Sequence, residues 1–170
     1  MLSGLAFSDG NCSKPFHPTL GRASWAAGSV DTTGKLIGVS VGPVWKQLAQ
    51  TSPPAELVAL AAVAQLVPLE AQKEAMAIEM GIDNIMAVGV TNQPPRPSSL
   101  HKAFHAGLVR NLWMQHGWPN IRSHACHVRS HQIDDMPAER MASLAPRGRQ
   151  LALGNKMFDD YATLTKKTHP

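Results

Sequence analysis

The sequence has little of what secreted, membrane and disordered proteins require. Only two of its 170 residues are cysteines, Cys12 and Cys126, and they do not suggest a disulfide framework. The longest nearly apolar run, 57–67, is interrupted by Gln65 and is too short to span a bilayer. No signal-peptide pattern begins the sequence. Hydrophobic residues make up 44 %, which excludes a disordered polar tail. We therefore expect one intracellular globular domain over residues 1–170, with reduced thiols.

Acidic and basic residues are distributed unevenly along the chain. Residues 1–92 hold five Lys and Arg against seven Asp and Glu, a net charge of −2. Residues 93–149 hold eight against three, a net charge of +5. This asymmetry suits a protein that binds cations in one place and phosphates in another. An uneven solvated surface would give the same pattern, so charge alone does not decide the function.

Turns, caps and apolar periodicity predict an α/β fold. Strands are predicted at 3–9, 24–31, 35–42, 85–91 and 121–129. Helices are predicted at 52–67, 69–81, 98–117 and 155–167, the last capped by Asn155 after a long basic loop at 132–153. Antiparallel strands followed by β-α-β units predict a mixed sheet covered by helices.

Three acidic residues fall where a metal site could form. Asp9 ends the first predicted strand, Glu56 lies in the first turn of the first helix, and Asp159 lies early in the last helix. Each taken singly also has an ordinary role, as a turn residue or as a favourable charge near a helix start. Together they provide hard oxygen ligands from separate elements, as a Mg²⁺-dependent phosphoryl-transfer site requires.

Five short motifs, spread over nearly the whole chain, resemble those of the ribonuclease H family and follow the family's order. They are Ser8-Asp9-Gly10, Ala55-Glu56-Leu57 with Ala59-Leu60, the stretch from Gly81 to Asn92, Val128-Arg129-Ser130-His131, and Gly154-Asn155 followed by Asp159 and Ala162. Each motif alone is weak, whereas five in this order are specific.

The resemblance implies a fold, a reaction and roles for particular residues. The fold would be a five-stranded mixed sheet with its first three strands antiparallel. Two Mg²⁺ or Mn²⁺ ions would cut the RNA strand of an RNA–DNA hybrid. Asp9, Glu56 and Asp159 would bind the ions, and His131 would assist proton transfer or product departure. The extended segment before Gly154 is more similar to domains of retroelement polyproteins, which implies a larger polyprotein as the context.

One position departs from the family's pattern. The resemblance assigns the place of a third metal-binding Asp to Asn92, after the predicted strand 85–91. An amide offers an oxygen but no charge, so metal affinity should fall. Asp83 precedes that strand and is therefore expected at its wrong end. The alternative function is accordingly a weakened or inactive domain that binds nucleic acid or has a structural role.

Two further hypotheses concern contacts to nucleic acid and a separate zinc site. The predicted nucleic-acid contacts are Gly10, Asn11, Arg96, Lys102, Arg129 and Asn155. A zinc-binding module is a third class of function, because His124 and Cys126 would share one face of a strand, with His127 and His131 nearby. No Cys-x-x-Cys pair completes that ligand set, so the zinc module is the weakest of the three hypotheses.

Overall fold

The protein, in a computed structural model, is a five-stranded mixed sheet with helices on both faces. The structure describes residues 5–13, 21–92, 105–129, 133–134 and 136–168. The strands are β1 (Leu5–Cys12), β2 (Ala23–Val30), β3 (Leu36–Pro43), β4 (Met80–Ile82) and β5 (Ala125–His127). The helices are α1 (Ser52–Leu66), α2 (Leu69–Lys73), α3 (Ile85–Asn92), α4 (Ala106–Trp113), α5 (Trp118–Ile121), α6 (Ala138–Ser143) and α7 (Pro146–Thr168). No helix in these ranges has the length and apolar character needed to cross a membrane.

The sheet has the strand order β3-β2-β1-β4-β5. β1, β2 and β3 pair antiparallel, whereas β1 with β4 and β4 with β5 pair parallel. Ala6 is opposite Met80 and Phe7 is opposite Gly81, so the carboxyl ends of β1 and β4 lie at one edge of the sheet. The predicted mixed sheet with three antiparallel strands first is confirmed.

Side chains of β1 alternate between two apolar cores. Ala6 belongs to the core beneath α1, together with Leu60. Phe7 faces the other side of the sheet, where α7 covers it with Phe158 and Ala162. The rings of Phe7 and Phe158 stack with their centroids 5.5 Å apart. β1 is therefore the central strand, and a helix packs against each of its faces.

The prediction of a strand at 85–91 is wrong, because this stretch is the helix α3. Asn84 explains the helix, since its Oδ1 accepts hydrogen bonds from the backbone N–H groups of Met86 at 3.0 Å and Ala87 at 3.2 Å. A side chain that accepts these N–H groups starts a helix at this position. The strand next to β1 is instead Met80–Ile82.

The predicted helix at 69–81 is correspondingly too long. α2 ends at Lys73, and Ala75 then adopts a left-handed backbone with a φ of 51°. That conformation is incompatible with a right-handed helix, so the helix ends, and β4 begins a few residues later. The predicted strand at 121–129 is shortened for a similar reason, because Ile121 ends α5 and Ser123 has a φ of 68°.

Asn155 is not the cap of the last helix. α7 begins at Pro146, where a proline costs no internal hydrogen bond, and Asn155 lies in the helix interior with only 4 % of its surface exposed. The predicted loop 132–153 therefore contains α6 and the first two turns of α7. In the predicted helix 98–117, residues 98–104 lie outside the described residues, and α4 begins at Ala106.

Gly154 brings α7 against β1. A Cβ atom at this position would lie 2.8 Å from Cε1 of Phe7 and closer still to two other atoms of that ring. The ring is fully buried between the sheet and Phe158, so it has no free space into which to move. The absence of a side chain at Gly154 therefore determines how closely α7, and with it Asp159, approaches the central strand.

We expect Gly154→Ala to lower the free energy of unfolding by about 1–3 kcal/mol, the usual effect of overpacking a filled core. Gly148→Ala is the matched control, because a Cβ atom there meets nothing within 4 Å in the same helix. The control should be neutral or stabilising by up to about 1 kcal/mol, since alanine favours helix. Urea unfolding of both variants measures the difference, and equal stabilities would contradict the role assigned to Gly154.

Candidate metal centre

Three carboxylates from three elements meet at the shared edge of β1 and β4. Asp9, Glu56 and Asp83 each offer one carboxylate oxygen within 4.8 Å of the others. Asp9 lies in β1, Glu56 in the first turns of α1, and Asp83 directly after β4. Asp9 and Glu56 are only 4 % and 3 % exposed. Among the described residues, no other group of three or more His, Cys, Asp or Glu side chains is close enough to hold a metal ion.

Gly10 allows α1 to approach β1 so closely. A Cβ atom on Gly10 would lie 2.6 Å from the carbonyl carbon of Ala55 and closer still to the backbone nitrogen of Glu56. These are backbone atoms of α1, so any larger residue would push the whole helix away. Gly10, predicted above as a nucleic-acid contact, thus has a packing role that brings Glu56 beside Asp9.

The junction between β4 and α3 holds Asp83 in place. Asn84, the next residue, caps α3 with its Oδ1, and its side chain is close enough to Glu56 to offset part of the rise in the pKa of that carboxyl. The Nε2 atom of His127, at the end of β5, lies 3.0 Å from the carbonyl oxygen of Asp83. Contacts to α1, α3 and β5 therefore converge on the two residues that follow β4.

Asp159 of α7 is the fourth carboxylate at this edge. Its charge raises the pKa of Asp9, and its Oδ1 accepts a 3.3 Å hydrogen bond from the side chain of Asn11 in β1. Asp159 also lines a small cavity together with Asp83. The adjacent Asp160 points elsewhere and pairs with Lys156 at 2.8 Å. Of these two neighbours on α7, Asp159 is the one directed at the cluster.

Burial and mutual repulsion disfavour the ionised forms of the carboxyl groups in the cluster. Loss of solvation is the largest cause that raises the pKa of Asp9 well above its usual range, followed by repulsion from Asp83 and Asp159. The pKa of Glu56 is raised in the same way by burial, then by Asp9 and Asp83. Oδ2 of Asp9 and Oε2 of Glu56 are buried without a hydrogen-bond partner in the described part of the chain. Buried, unpartnered carboxylate oxygens fit a divalent cation.

Asn92 lies elsewhere, and the structure brings Asp83 to Asp9 and Glu56 instead. The Nδ2 atom of Asn92 donates to the carbonyl oxygen of Ala125 at 2.7 Å, and its Oδ1 accepts from the N–H of Ala125 at 3.0 Å. The carboxamide therefore joins the end of α3 to the start of β5.

The expectation that Asp83 would lie at the wrong end of its strand is wrong. The strand is Met80–Ile82 and ends immediately before Asp83. Sequence reasoning missed this role, although Asp83-Asn84 after the short apolar stretch 80–82 is also a helix-start signal. That signal favours a helix over a strand at 85–91.

The other residues predicted for the site are His131, Arg96, Lys102, Arg129 and Asn155. His131, Arg96 and Lys102 lie outside the described residues. Arg129 is exposed just after β5, at the edge that carries the carboxylates. Asn155 is buried, and its Oδ1 finds no hydrogen-bond partner among the residues described, although it lines the same small cavity as Asp83 and Asp159.

The residues predicted to bind zinc do not come together as a metal site in the described part of the chain. The Sγ atom of Cys126 donates to the carbonyl oxygen of Met80 at 3.1 Å, and burial raises the pKa of this thiol. In the described part of the chain, neither His124 nor His127 belongs with Cys126 to a group that could hold a metal ion. The carboxylate cluster is therefore the candidate metal site among the residues that the structure describes.

No protein-family model and no curated protein matches the sequence. Solved structures do match it. The protease–reverse transcriptase of prototype foamy virus has a TM-score of 0.66 and 15 % identity over 98 % of this chain, which spans 21 % of that longer chain. The RNase H domain of PFV has a TM-score of 0.63 and 15 % identity, covering 96 % of this chain and 94 % of that one. LC11-RNase H1 in complex with RNA/DNA hybrid has a TM-score of 0.52 and 15 % identity, covering 96 % of both chains.

The chain has the ribonuclease H fold. The matching RNase H domains cover nearly all of it, and the strand order β3-β2-β1-β4-β5 with three antiparallel strands first is the order of that fold. Within this fold, the acidic cluster of Asp9, Glu56 and Asp83 forms a candidate metal centre at the carboxyl ends of two parallel strands.

The raised pKa values predict how the stability of the metal-free protein depends on pH. Folded Asp9 and Glu56 retain protons at pH values where the unfolded chain has lost them. Their contribution to the free energy of unfolding should therefore fall as pH rises above about 4. Asp83→Asn removes one repelling charge and should reduce this decline. Urea unfolding in excess chelator between about pH 5 and about pH 8 measures it.

Asp160→Asn provides the control for that experiment, since it removes the charge of a carboxylate that pairs with Lys156 outside the cluster. This variant should retain the decline of the unsubstituted protein. A decline of equal size in all three proteins would show that the cluster does not couple protonation to folding.

Proposed function

We propose that the protein is a divalent-metal-dependent endonuclease that cleaves the RNA strand of RNA–DNA hybrids. The observation that carries this proposal is the buried cluster of Asp9, Glu56 and Asp83, with its unpartnered oxygens. The fold supports the class of substrate, because LC11-RNase H1, which shares it, has been solved in complex with RNA/DNA hybrid. The function is thus inferred from a site, with the fold as support.

Asp9, Glu56, Asp83 and Asp159 would together hold two Mg²⁺ or Mn²⁺ ions. Both ions prefer oxygen ligands, and these four carboxylates supply them from β1, α1, the end of β4 and α7. Bound ions of this kind stabilise the attacking and leaving oxygens of phosphodiester hydrolysis. The orphaned oxygens of Asp9 and Glu56 would gain their missing partners on binding.

Asp9 is proposed to bind both ions. It is central, because its carboxylate lies within 4.8 Å of those of Glu56 and Asp83. Burial, then the charges of Asp83 and Asp159, raise its pKa. Its burial keeps water away from the carboxylate, which strengthens its electrostatic interactions. His131 is proposed to assist proton transfer or product departure, because the imidazole side chain can both accept and donate a proton.

The alternative of a weakened or inactive domain loses its main support. That alternative depended on Asn92 as the third ligand, whereas Asp83 accompanies Asp9 and Glu56 in the cluster. With Asp159, four acidic residues are directed at one edge of the sheet. We therefore favour an active enzyme.

Nucleic-acid binding is proposed to involve the basic segment 93–149. Arg129 is exposed two residues after His127, whose ring contacts the backbone of Asp83. The guanidinium group of Arg129 is therefore proposed to contact a phosphate of nucleic acid bound at the metal centre. Arg96, Lys102, Gly10 and Asn155 remain proposed contacts, and a polyprotein remains the proposed context because the foamy virus match is a longer chain.

The test of the proposed function is RNA cleavage in a labelled RNA–DNA hybrid with Mg²⁺ or Mn²⁺. Asp83→Asn should lower the cleavage rate by at least about a hundredfold, because a charged metal ligand is lost. Asn92→Asp is the informative comparison. It should not raise cleavage, and it should lower the free energy of unfolding by about 1–2 kcal/mol because the carbonyl of Ala125 loses its donor.

Excess chelator should abolish cleavage in both the unsubstituted protein and the Asn92→Asp variant. If Asn92→Asp raises cleavage while Asp83→Asn leaves it intact, the ligand assignment is wrong. Cleavage that persists in chelator would exclude the metal-dependent mechanism altogether.

Hybrid binding provides a separate prediction, measured by fluorescence anisotropy in chelator at several salt concentrations. Arg129→Ala should weaken binding and reduce the slope of log affinity against log salt by about one phosphate contact. Arg122→Ala is the matched control, because Arg122 is also exposed but precedes β5 and therefore lies at its other end. Equal slopes for the two variants would show that Arg129 does not contact a phosphate.

A further inference from the structure

The carboxamide of Asn11 lies at the centre of a polar network between β1 and α7. Its Nδ2 donates to Oγ1 of Thr163 at 2.6 Å and to Oδ1 of Asp159 at 3.3 Å. Its Oδ1 accepts a 2.6 Å hydrogen bond from Nζ of Lys166. Both hydrogens and the oxygen of the carboxamide are therefore engaged within the protein. Asn11 was predicted above as a nucleic-acid contact, and this network indicates another role.

The chemistry of the partners fixes which way the carboxamide points. A lysine ammonium can only donate hydrogen bonds, whereas an ionised aspartate can only accept them. The oxygen of Asn11 must consequently face Lys166, and its NH₂ group must face Asp159. A rotation of 180° about the amide axis would direct the oxygen at the carboxylate of Asp159, where the two would repel each other.

Lys166 also fixes the end of β1 itself. Its Nζ lies 3.3 Å from the carbonyl oxygen of Cys12, the last residue of the strand. One ammonium group thus contacts the side chain of Asn11 and the backbone beyond it. This contact ties the final turns of α7 to the strand that carries Asp9.

We propose that Lys166 and Asn11 are positioning residues for the metal centre: Lys166 sets the orientation of the Asn11 carboxamide, which in turn holds Asp159 toward Asp9 and Asp83. The inference rests on the proposed function, since it assigns Asp159 to the metal site. Neither residue needs to touch the ions or the substrate. Groups that orient metal ligands in this way commonly affect metal affinity by about 10–100-fold.

Lys166→Met tests the proposal, because methionine retains much of the length of the side chain but cannot donate a hydrogen bond. Calorimetric titration with Mn²⁺ should show affinity weakened by about tenfold, at the low end of the range for such residues. The Mn²⁺ concentration for half-maximal cleavage should rise in parallel, while the KM for hybrid at saturating Mn²⁺ should stay unchanged. Lys166→Arg restores the donor and should recover most of the affinity.

Lys167→Met is the matched control, since it removes the same charge from an exposed neighbour in the same helix turn. Its Mn²⁺ affinity should equal that of the unsubstituted protein. If Lys166→Met and Lys167→Met bind Mn²⁺ equally well, the proposal is overturned while the proposed function stands. If the unsubstituted protein binds no Mn²⁺, the proposed function fails and the inference fails with it.

A double substitution separates positioning from general stabilisation. In an Asp159→Asn background, Lys166→Met should cause no further loss of Mn²⁺ affinity, because the residue that it positions is already gone. Thr163→Val removes the other acceptor of Asn11 and leaves Lys166 in place, so it should weaken Mn²⁺ binding less than Lys166→Met does. Additive losses in the double variant, with Thr163→Val as damaging as Lys166→Met, would mean that the network only stabilises the fold.

Discussion

Repulsion among buried carboxylates at the shared edge of β1 and β4 is the constraint to which the rest of the structure responds. Asp9 and Glu56 have lost almost all contact with solvent, and each is close to further negative charge. A cluster of this kind destabilises a metal-free fold, since ions buried without partners are costly. The two apolar cores on either side of β1 must therefore supply the stability that holds these groups together.

Two glycines allow the helices that carry Glu56 and Asp159 to pack closely against β1. Gly10 lets the backbone of α1 lie against β1, and Gly154 lets α7 lie on the ring of Phe7. Each contact involves atoms that cannot move aside, either backbone or a ring packed on both sides. Because the carboxylates of Glu56 and Asp159 are carried by these helices, their positions relative to Asp9 are set by core packing.

Three asparagines complete the arrangement at the joints between elements. Asn84 connects the start of α3 to Glu56, Asn11 connects β1 to α7, and Asn92 connects α3 to β5. A carboxamide suits such joints because it donates and accepts at once without adding charge. An aspartate in place of Asn11 or Asn84 would add to the negative charge beside the cluster and lose a donor, and an aspartate in place of Asn92 would lose the donor to the carbonyl oxygen of Ala125.

Sequence alone determined the class of fold, the strands β1 to β3, the helix α1 and the candidate ligands Asp9, Glu56 and Asp159. Turns and caps are local signals, and the order of the five motifs can be read directly along the chain. Sequence alone did not determine β4, which has only three residues, or the helical state of 85–92, an apolar stretch that suits either a strand or a helix. Parallel pairing of Met80 and Gly81 with β1 decided the first, and that pairing connects residues more than 70 positions apart. The Asn84 cap decided the second. Tertiary structure therefore brought Asp83, rather than Asn92, beside Asp9, because the edge of a sheet is defined only once its strands are paired.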